Sequence, residues 1–423
     1  RCDDFASGAN IVCLCRPAGR DLPLVADGPN LSGAGDEVRI AMQSRLPRYG
    51  LLACLLAAAV IPGQAEQASE ELSSDDQLTV ERVLGGASDE GFARALAPRD
   101  FVFPPDHGPH PEFRTEWWYY TGNLVAENSR RFGYQLTFFR TALTPEPPDR
   151  DSNWATNQVY MAHLALTDVG RQKFHHFERF SRGSLGLAGA KAEPFQVWLE
   201  DWSATGGPGE PFTMKLKAQQ DGVAIELLLE SLKPVVLQGQ NGLSQKSASP
   251  GNASYYYSMT RLQTSGVVQV AGESFQVNGT SWLDREWSTS ALGEDQVGWD
   301  WFSLQLDDQR ELMYYQLRLR DGRPDPMSSG VLVGAAGATR RLKPENIEIS
   351  VLEHWQSETS GAKYPAKWRI DLLEEKLSLE ISPLVSDQEL QTTIRYWEGA
   401  VAVQGKQENT QVTGHGYVEM TGY

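Results

Sequence analysis

W-Y-Y-T-G-N-L-V-A-E-N-S-R-R-F-G-Y-Q-L, residues 118–136, is answered without a gap by W-D-W-F-S-L-Q-L-D-D-Q-R-E-L-M-Y-Y-Q-L, residues 299–317. Trp118 and Trp299, like Tyr134 and Tyr315, stand 181 residues apart, with a polar turn between the matched ends of each copy. A second echo pairs G-V-V-Q-V-A-G (266–272) and V-N-G-T-S-W-L-D (277–284) with G-A-V-A-V-Q-G (399–405) and V-T-G-H-G-Y-V-E (412–419). One hairpin opens each copy and another closes it. In this alignment Asp284 and Glu419 occupy equivalent positions, so an acid there can be inherited architecture rather than chemistry.

Around the echoes, apolar residues alternate with polar ones: Phe132, Tyr134, Leu136 and Phe138; Met313, Tyr315, Leu317 and Leu319; Leu377, Leu379 and Ile381. Period-two alternation rich in aromatic and β-branched residues, broken by Gly, Asn and Asp, reads as half-buried antiparallel strands. An all-β chain written twice predicts two tandem antiparallel β-barrels arising from an internal repeat. An opening and a closing hairpin can pair to complete each cylinder, which removes exposed strand edges. The boundary is expected near residue 290, giving barrels over 100–290 and 291–423.

The chain has 423 residues, enough for two domains with sizeable cores, and carries 55 acidic against 38 basic side chains, a net charge of −17. That balance argues against nucleic acid as a partner. Met42 begins a basic stretch, followed by the apolar run 51–61 and then by Gly63-Gln64-Ala65, the layout of a secretory signal peptide cleaved near Ala65. Residues 1–41 read as a non-native upstream extension, 42–65 as the signal, and 66–99 as a flexible acidic tether. The four cysteines all lie at or before Cys54, so cleavage leaves a cysteine-free protein, placed in the periplasm or outside the cell.

Chemistry-bearing residues concentrate in two clusters. The first is Glu116-Trp117-Trp118-Tyr119-Tyr120. Four consecutive aromatics cannot share one face of a strand, so two are expected inside the barrel and two against its surroundings. Glu116 is then either a carboxylic acid desolvated by an aromatic wall or part of an ion network. The second is Trp282-Leu283-Asp284-Arg285-Glu286-Trp287, followed by Trp299 and Trp301. Asp284 and Glu286 share a strand face beside Trp282 and could form a paired-carboxylate site; Arg285 or Arg114 could equally neutralise them. His163 lies on an alternating strand with Val159 and Met161. Histidine spacing fits no metal site, and no G-x-S-x-G, phosphate loop or dinucleotide fingerprint occurs, so no metal or cofactor is expected.

The runs R-T-E-W-W-Y-Y-T-G-N-L (114–124), M-A-H-L-A-L-T-D (161–168), Y-Y-Y-S-M-T-R (255–261), W-L-D-R-E-W-S (282–288) and the terminal G-Y-V-E-M-T-G-Y resemble the AttH-like proteins, which are related to the carotenoid 1,2-hydratases. The resemblance implies two lipocalin-like barrels. It also implies an exported module that binds a hydrophobic lipid or isoprenoid-like ligand, working beside an ABC transporter permease. The alternative it implies is a cofactor-free hydratase acting on an isoprenoid double bond, with Asp284 as proton donor and Glu116 and His163 in support. Arg285 stands where the hydratase pattern has histidine. Trp117, Trp118, Tyr120, Trp282, Glu286, Trp287, Trp299 and Trp301 are the expected ligand-binding residues.

Overall fold

The computed structural model describes residues 89–207, 212–290, 292–293 and 295–423. The expected extension, signal peptide and most of the tether lie outside the described residues. Residues 89–99, assigned above to the tether, pack on the first sheet: Phe92 and Ala95 are buried, and Arg99 pairs with Asp106 at 2.7 Å.

Among the described residues all regular structure except three short 3-10 turns is antiparallel strand, gathered into a thirteen-stranded and a ten-stranded sheet. In the first, the opening hairpin is Thr115–Ala126 with Arg131–Ala142, and the closing hairpin is Ala253–Val270 with Glu273–Ser288. The two meet along the ladder that sets Tyr119 opposite Asp284. In the second, Gln296–Leu306 with Glu311–Leu319 opens and Arg395–Gln407 with Thr410–Thr421 closes, and Trp301 lies opposite Glu419. Both copies are therefore joined beginning to end, as the repeat predicts. The chain forms two lipocalin-like barrels, the first nearly closed and the second a half-barrel.

The open seam of the first barrel falls between the edge strands Lys173–Arg182 and Ala188–Lys191. Arg179 on the former bridges it with side-chain contacts, lying 4.4 Å from the ring of Trp202, pairing with Asp201 and donating to Gln220 at 2.9 Å. These contacts cover an edge that would otherwise offer unpaired backbone to another strand.

Neither barrel is hollow. Trp118, Tyr120, Tyr134, Trp202 and Tyr257 fill the first, and Phe302, Trp368, Ile370, Leu379 and Trp397 the second. The opposite faces of the hairpin strands pack against each other, burying Tyr119, Trp282, Trp301, Met313, Tyr315 and Tyr417 between the barrels. Trp117 and Tyr119 thus point to the second barrel while Trp118 and Tyr120 point inward, the division that strand alternation requires. Gly133 permits the close approach: a Cβ there would lie 2.4 Å from that of Ala400.

The structural repeat is not the one read from the sequence. The opening turns superimpose Ala126 on Leu306 and the positive-φ residues Ser129 and Gln309, an offset of 180 rather than 181. A one-residue slip exchanges faces. Trp118 and Tyr134 accordingly lie inside the first barrel, whereas their sequence matches Trp299 and Tyr315 lie between the barrels. The closing turns match Val270 with Gln407 and Glu273 with Thr410, 137 apart, so Asp284 corresponds to Thr421 and Glu419 to Trp282. Asp284 and Glu419 are not equivalent, although both face the same side.

Candidate functional site

The strands that meet between the barrels leave a cavity of about 110 Å³ walled by Trp117, Tyr119, Trp299, Trp301, Tyr315 and Met161. Into this apolar space project Asp284, Glu286, Glu419, Lys246, Tyr256 and His163.

Asp284 is held by three donors. Tyr256 Oη donates to Oδ2, while Ser258 Oγ at 2.5 Å and Trp282 Nε1 at 2.7 Å donate to Oδ1. Burial raises its pKa and the three hydrogen bonds only partly oppose this, leaving it at about 7. Glu419 is likewise pushed up to about 7 by burial, against the pull of a 2.7 Å hydrogen bond from Trp299 Nε1. The charges of Asp284 and Glu286 add to the rise. Behind it, Glu398 is raised well above the usual carboxylate range by burial and by Glu419, and accepts from Tyr119 Oη at 2.6 Å.

A β-bulge places these partners. The ladder of the closing hairpin slips between Met259 and Leu262. Before the slip Tyr256 faces Glu286 and Ser258 faces Asp284, so both hydroxyls share the carboxylates' side. After it the even-numbered Leu262, Val268 and Val270 point into the barrel. The extra residue changes which parity is interior, and so aims Tyr256 at Asp284.

Glu286 accepts from Ser254 Oγ and from Lys246 Nζ at 2.9 Å. Burial pulls the pKa of Lys246 down, but the charge and hydrogen bond of Glu286 together with the neighbouring Tyr315 and Asp284 outweigh this and raise it. The ammonium lies 4.3 Å from the Tyr315 ring centre and 5.2 Å from that of Tyr256. On another wall His163 is fully buried, with Nδ1 2.7 Å from Tyr396 Oη and Nε2 3.0 Å from Glu178 Oε1. Glu178 also accepts from Thr393 Oγ1 at 2.6 Å and reaches the surface.

The geometry corrects several assignments. Glu116 does not line the cavity: it lies in the first barrel between Arg140 and Arg285, accepting also from His110 N at 3.1 Å. Burial alone would raise its pKa, but the two guanidinium charges hold it well below the usual range, so it is no proton donor at neutral pH. Trp118 lies under Arg285, 3.9 Å away; Trp287 stacks on His110 at 3.7 Å; Tyr120 reaches Met214 Sδ at 3.8 Å. All three are barrel interior rather than ligand wall. Trp282 sits behind the wall and acts on Asp284 through its hydrogen bond. Arg285 turns to Glu116 and Arg114 to Asp89, so neither neutralises Asp284. Asp284, His163, Glu286, Trp117, Trp299 and Trp301 do converge on one cavity.

Lys246, Tyr256, Tyr315, Tyr396 and Glu398 were not singled out from sequence as site residues. The Ser254, Tyr256, Ser258 alternation was a usable signal for Tyr256, given the strand pairing. Lys246 follows a short strand with no pattern to mark it. Among the described residues no group of three or more His, Cys, Asp or Glu could hold a metal ion.

Fold and site together define a two-barrel protein with its acid groups buried in the joint. The chain belongs to the AttH-like family, whose profile matches residues 94–423. It is 35% identical to the crystal structure of a protein assigned as an AttH from Nitrosomonas europaea, with TM-score 0.70, over 78% of this chain and 100% of that one. It also shares its fold with kievitone hydratase from Nectria haematococca, at 15% identity and TM-score 0.59, over 78% of this chain and 98% of that one. No curated protein matches the sequence.

Proposed function

We propose that this protein is a hydratase-type acid–base enzyme, which adds water to, or removes it from, a carbon–carbon double bond of an apolar molecule held between the barrels. The observation that carries the reading is Asp284: a carboxyl with pKa near 7, fixed by three donors and facing aromatic rings. A group titrating near neutrality can both give and regain a proton. Kievitone hydratase, a hydratase by name, supports the reading through the shared fold.

In the hydration direction the Asp284 proton forms the new C–H bond as the π bond breaks, leaving a cation at the more substituted carbon. The faces of Trp299, Trp301 and Tyr119 stabilise that cation. Water adds to it and loses a proton to ionised Glu419, which Trp299 orients. Transfer of that proton back to Asp284 restores both groups, so one water is consumed and nothing else. His163 serves as a positioning residue, fixing the Tyr396 hydroxyl at the cavity wall.

A carrier of hydrophobic ligands would use the same aromatic walls, but it gains nothing from two buried carboxyls raised to neutrality at a desolvation cost. Export after cleavage near Ala65, and work beside a transporter, belong to this proposal; sequencing the mature N terminus from a periplasmic fraction tests the former.

Turnover decides the rest. Purified protein incubated with isoprenoid alkenes in heavy-oxygen water should yield labelled alcohols, and Asp284→Asn should not while remaining folded. Bound lipid recovered without turnover of any alkene would leave the carrier reading standing instead.

A further inference from the structure

Lys246 is out of place in a pocket meant for a pure hydrocarbon. Its ammonium lines the cavity, and its side chain is 13% exposed. Among the described residues Glu286 is its one hydrogen-bonding partner, at 2.9 Å, with the ring faces of Tyr315 and Tyr256 beside it. An ammonium carries three N–H donors, so Lys246 keeps capacity for a further acceptor at the cavity wall. Desolvated donors without acceptors are costly, and a hydrocarbon guest would leave that cost in place.

Tyr256 ties this cation to the proton donor. Its hydroxyl binds Asp284 and its ring lies 5.2 Å from Lys246 Nζ. An oxygen received by Lys246 and a double bond presented to Asp284 are therefore separated by about the span of one tyrosine ring. The Lys246–Glu286 pair is neutral as a unit, and Glu419 adds negative character to the wall. An anionic group would meet two carboxylates together with the one ammonium.

Resting on the acid–base reading above, we propose that Lys246 is a specificity residue for a neutral oxygen function, a hydroxyl or carbonyl lying a few bonds from the reacting double bond. The substrate class is thus an oxygenated unsaturated molecule rather than an unfunctionalised isoprenoid hydrocarbon.

Calorimetric titration with geraniol, myrcene and geranic acid at neutral pH tests this, since the three share a carbon count and differ in the oxygen function. Geraniol should bind the full-length protein about tenfold or more tighter than myrcene, as expected for a hydrogen bond to a charged donor, and tighter than geranic acid. Lys246→Met should abolish the preference, so that geraniol and myrcene bind equally. Because that variant strands Glu286, Lys246→Met with Glu286→Gln serves as a second, charge-balanced variant with the same expected loss. Equal binding of geraniol and myrcene by the wild type, or a preference that survives loss of Lys246, overturns the proposal, and tighter binding of geranic acid overturns the neutral-oxygen assignment. These results leave the acid–base reading intact. Failure of all three compounds to bind the wild type defeats the occupied-pocket reading, and this proposal with it.

Discussion

Tyr256 donates its hydroxyl hydrogen to Asp284, although the residue directly across the ladder from Tyr256 is Glu286. The reach is diagonal, and it continues into the other barrel, because Trp301 Nε1 donates to the same tyrosine oxygen at 3.2 Å. The Asp284 carboxyl of one barrel is thereby positioned through a tryptophan of the other.

Tyr256→Phe removes a hydrogen bond that holds the Asp284 pKa down, so that pKa should rise further above about 7. The alkaline limb of the pH–rate profile, which requires protonated Asp284, should move to higher pH. Turnover should fall roughly tenfold from lost positioning. A profile unmoved in position, with only its height reduced, would assign Tyr256 a packing role alone.

Asp284→Asn keeps the shape and much of the hydrogen bonding but removes the transferable proton. kcat should drop by about 10²–10⁴, the usual weight of general acid catalysis, with substrate affinity retained. Steady-state kinetics with circular dichroism of the variant separates this from unfolding.

Stability should depend on pH in the opposite sense to an ordinary salt-bridged carboxylate. Asp284 and Glu419 have folded pKa values of about 7, above their ordinary 3.8 and 4.5, so the folded state binds more protons across that interval. Their contribution is complete below the unfolded values and is lost as pH rises through 7, on the order of a few kcal/mol. Melting temperature should fall from pH 5 to pH 8. The double variant Asp284→Asn, Glu419→Gln should flatten that slope, and an unchanged slope would place the titration elsewhere.

Glu116→Gln should damage the fold rather than the chemistry. It leaves Arg140 and Arg285 without their shared carboxylate inside the first barrel, where breaking such a pair costs about 3–5 kcal/mol. Urea denaturation should show that loss, while protein that remains folded keeps its ligand affinity.

The strand content, the duplication and the meeting of opening with closing hairpins were legible because each rests on alternation and spacing. Which face each strand presents was not. Matching Trp118 to Trp299 is the better fit by letter, yet the turns align Tyr119 with Trp299, and a period of two makes that single step decisive. The bulge near Thr260 hid Tyr256 in the same way, since alternation read from Val268 and Val270 predicts the wrong parity for it. Asp284 and His163 were found through their neighbours, and Glu116 was misassigned because its two arginine partners come from other strands, 24 and 169 residues away. Lys246 acquires meaning only from Glu286 and Tyr315, which folding brings to it.

Both barrels are solid, and the cavity belongs to neither. A solitary barrel of this kind would enclose no such space, so the cavity exists only where the two are joined. Side chains that shape the cavity stand on the outer faces of strands whose inner faces do the folding. Selectivity can therefore be rewritten at the joint without repacking either interior, which leaves recognition and foldability under separate mutational control.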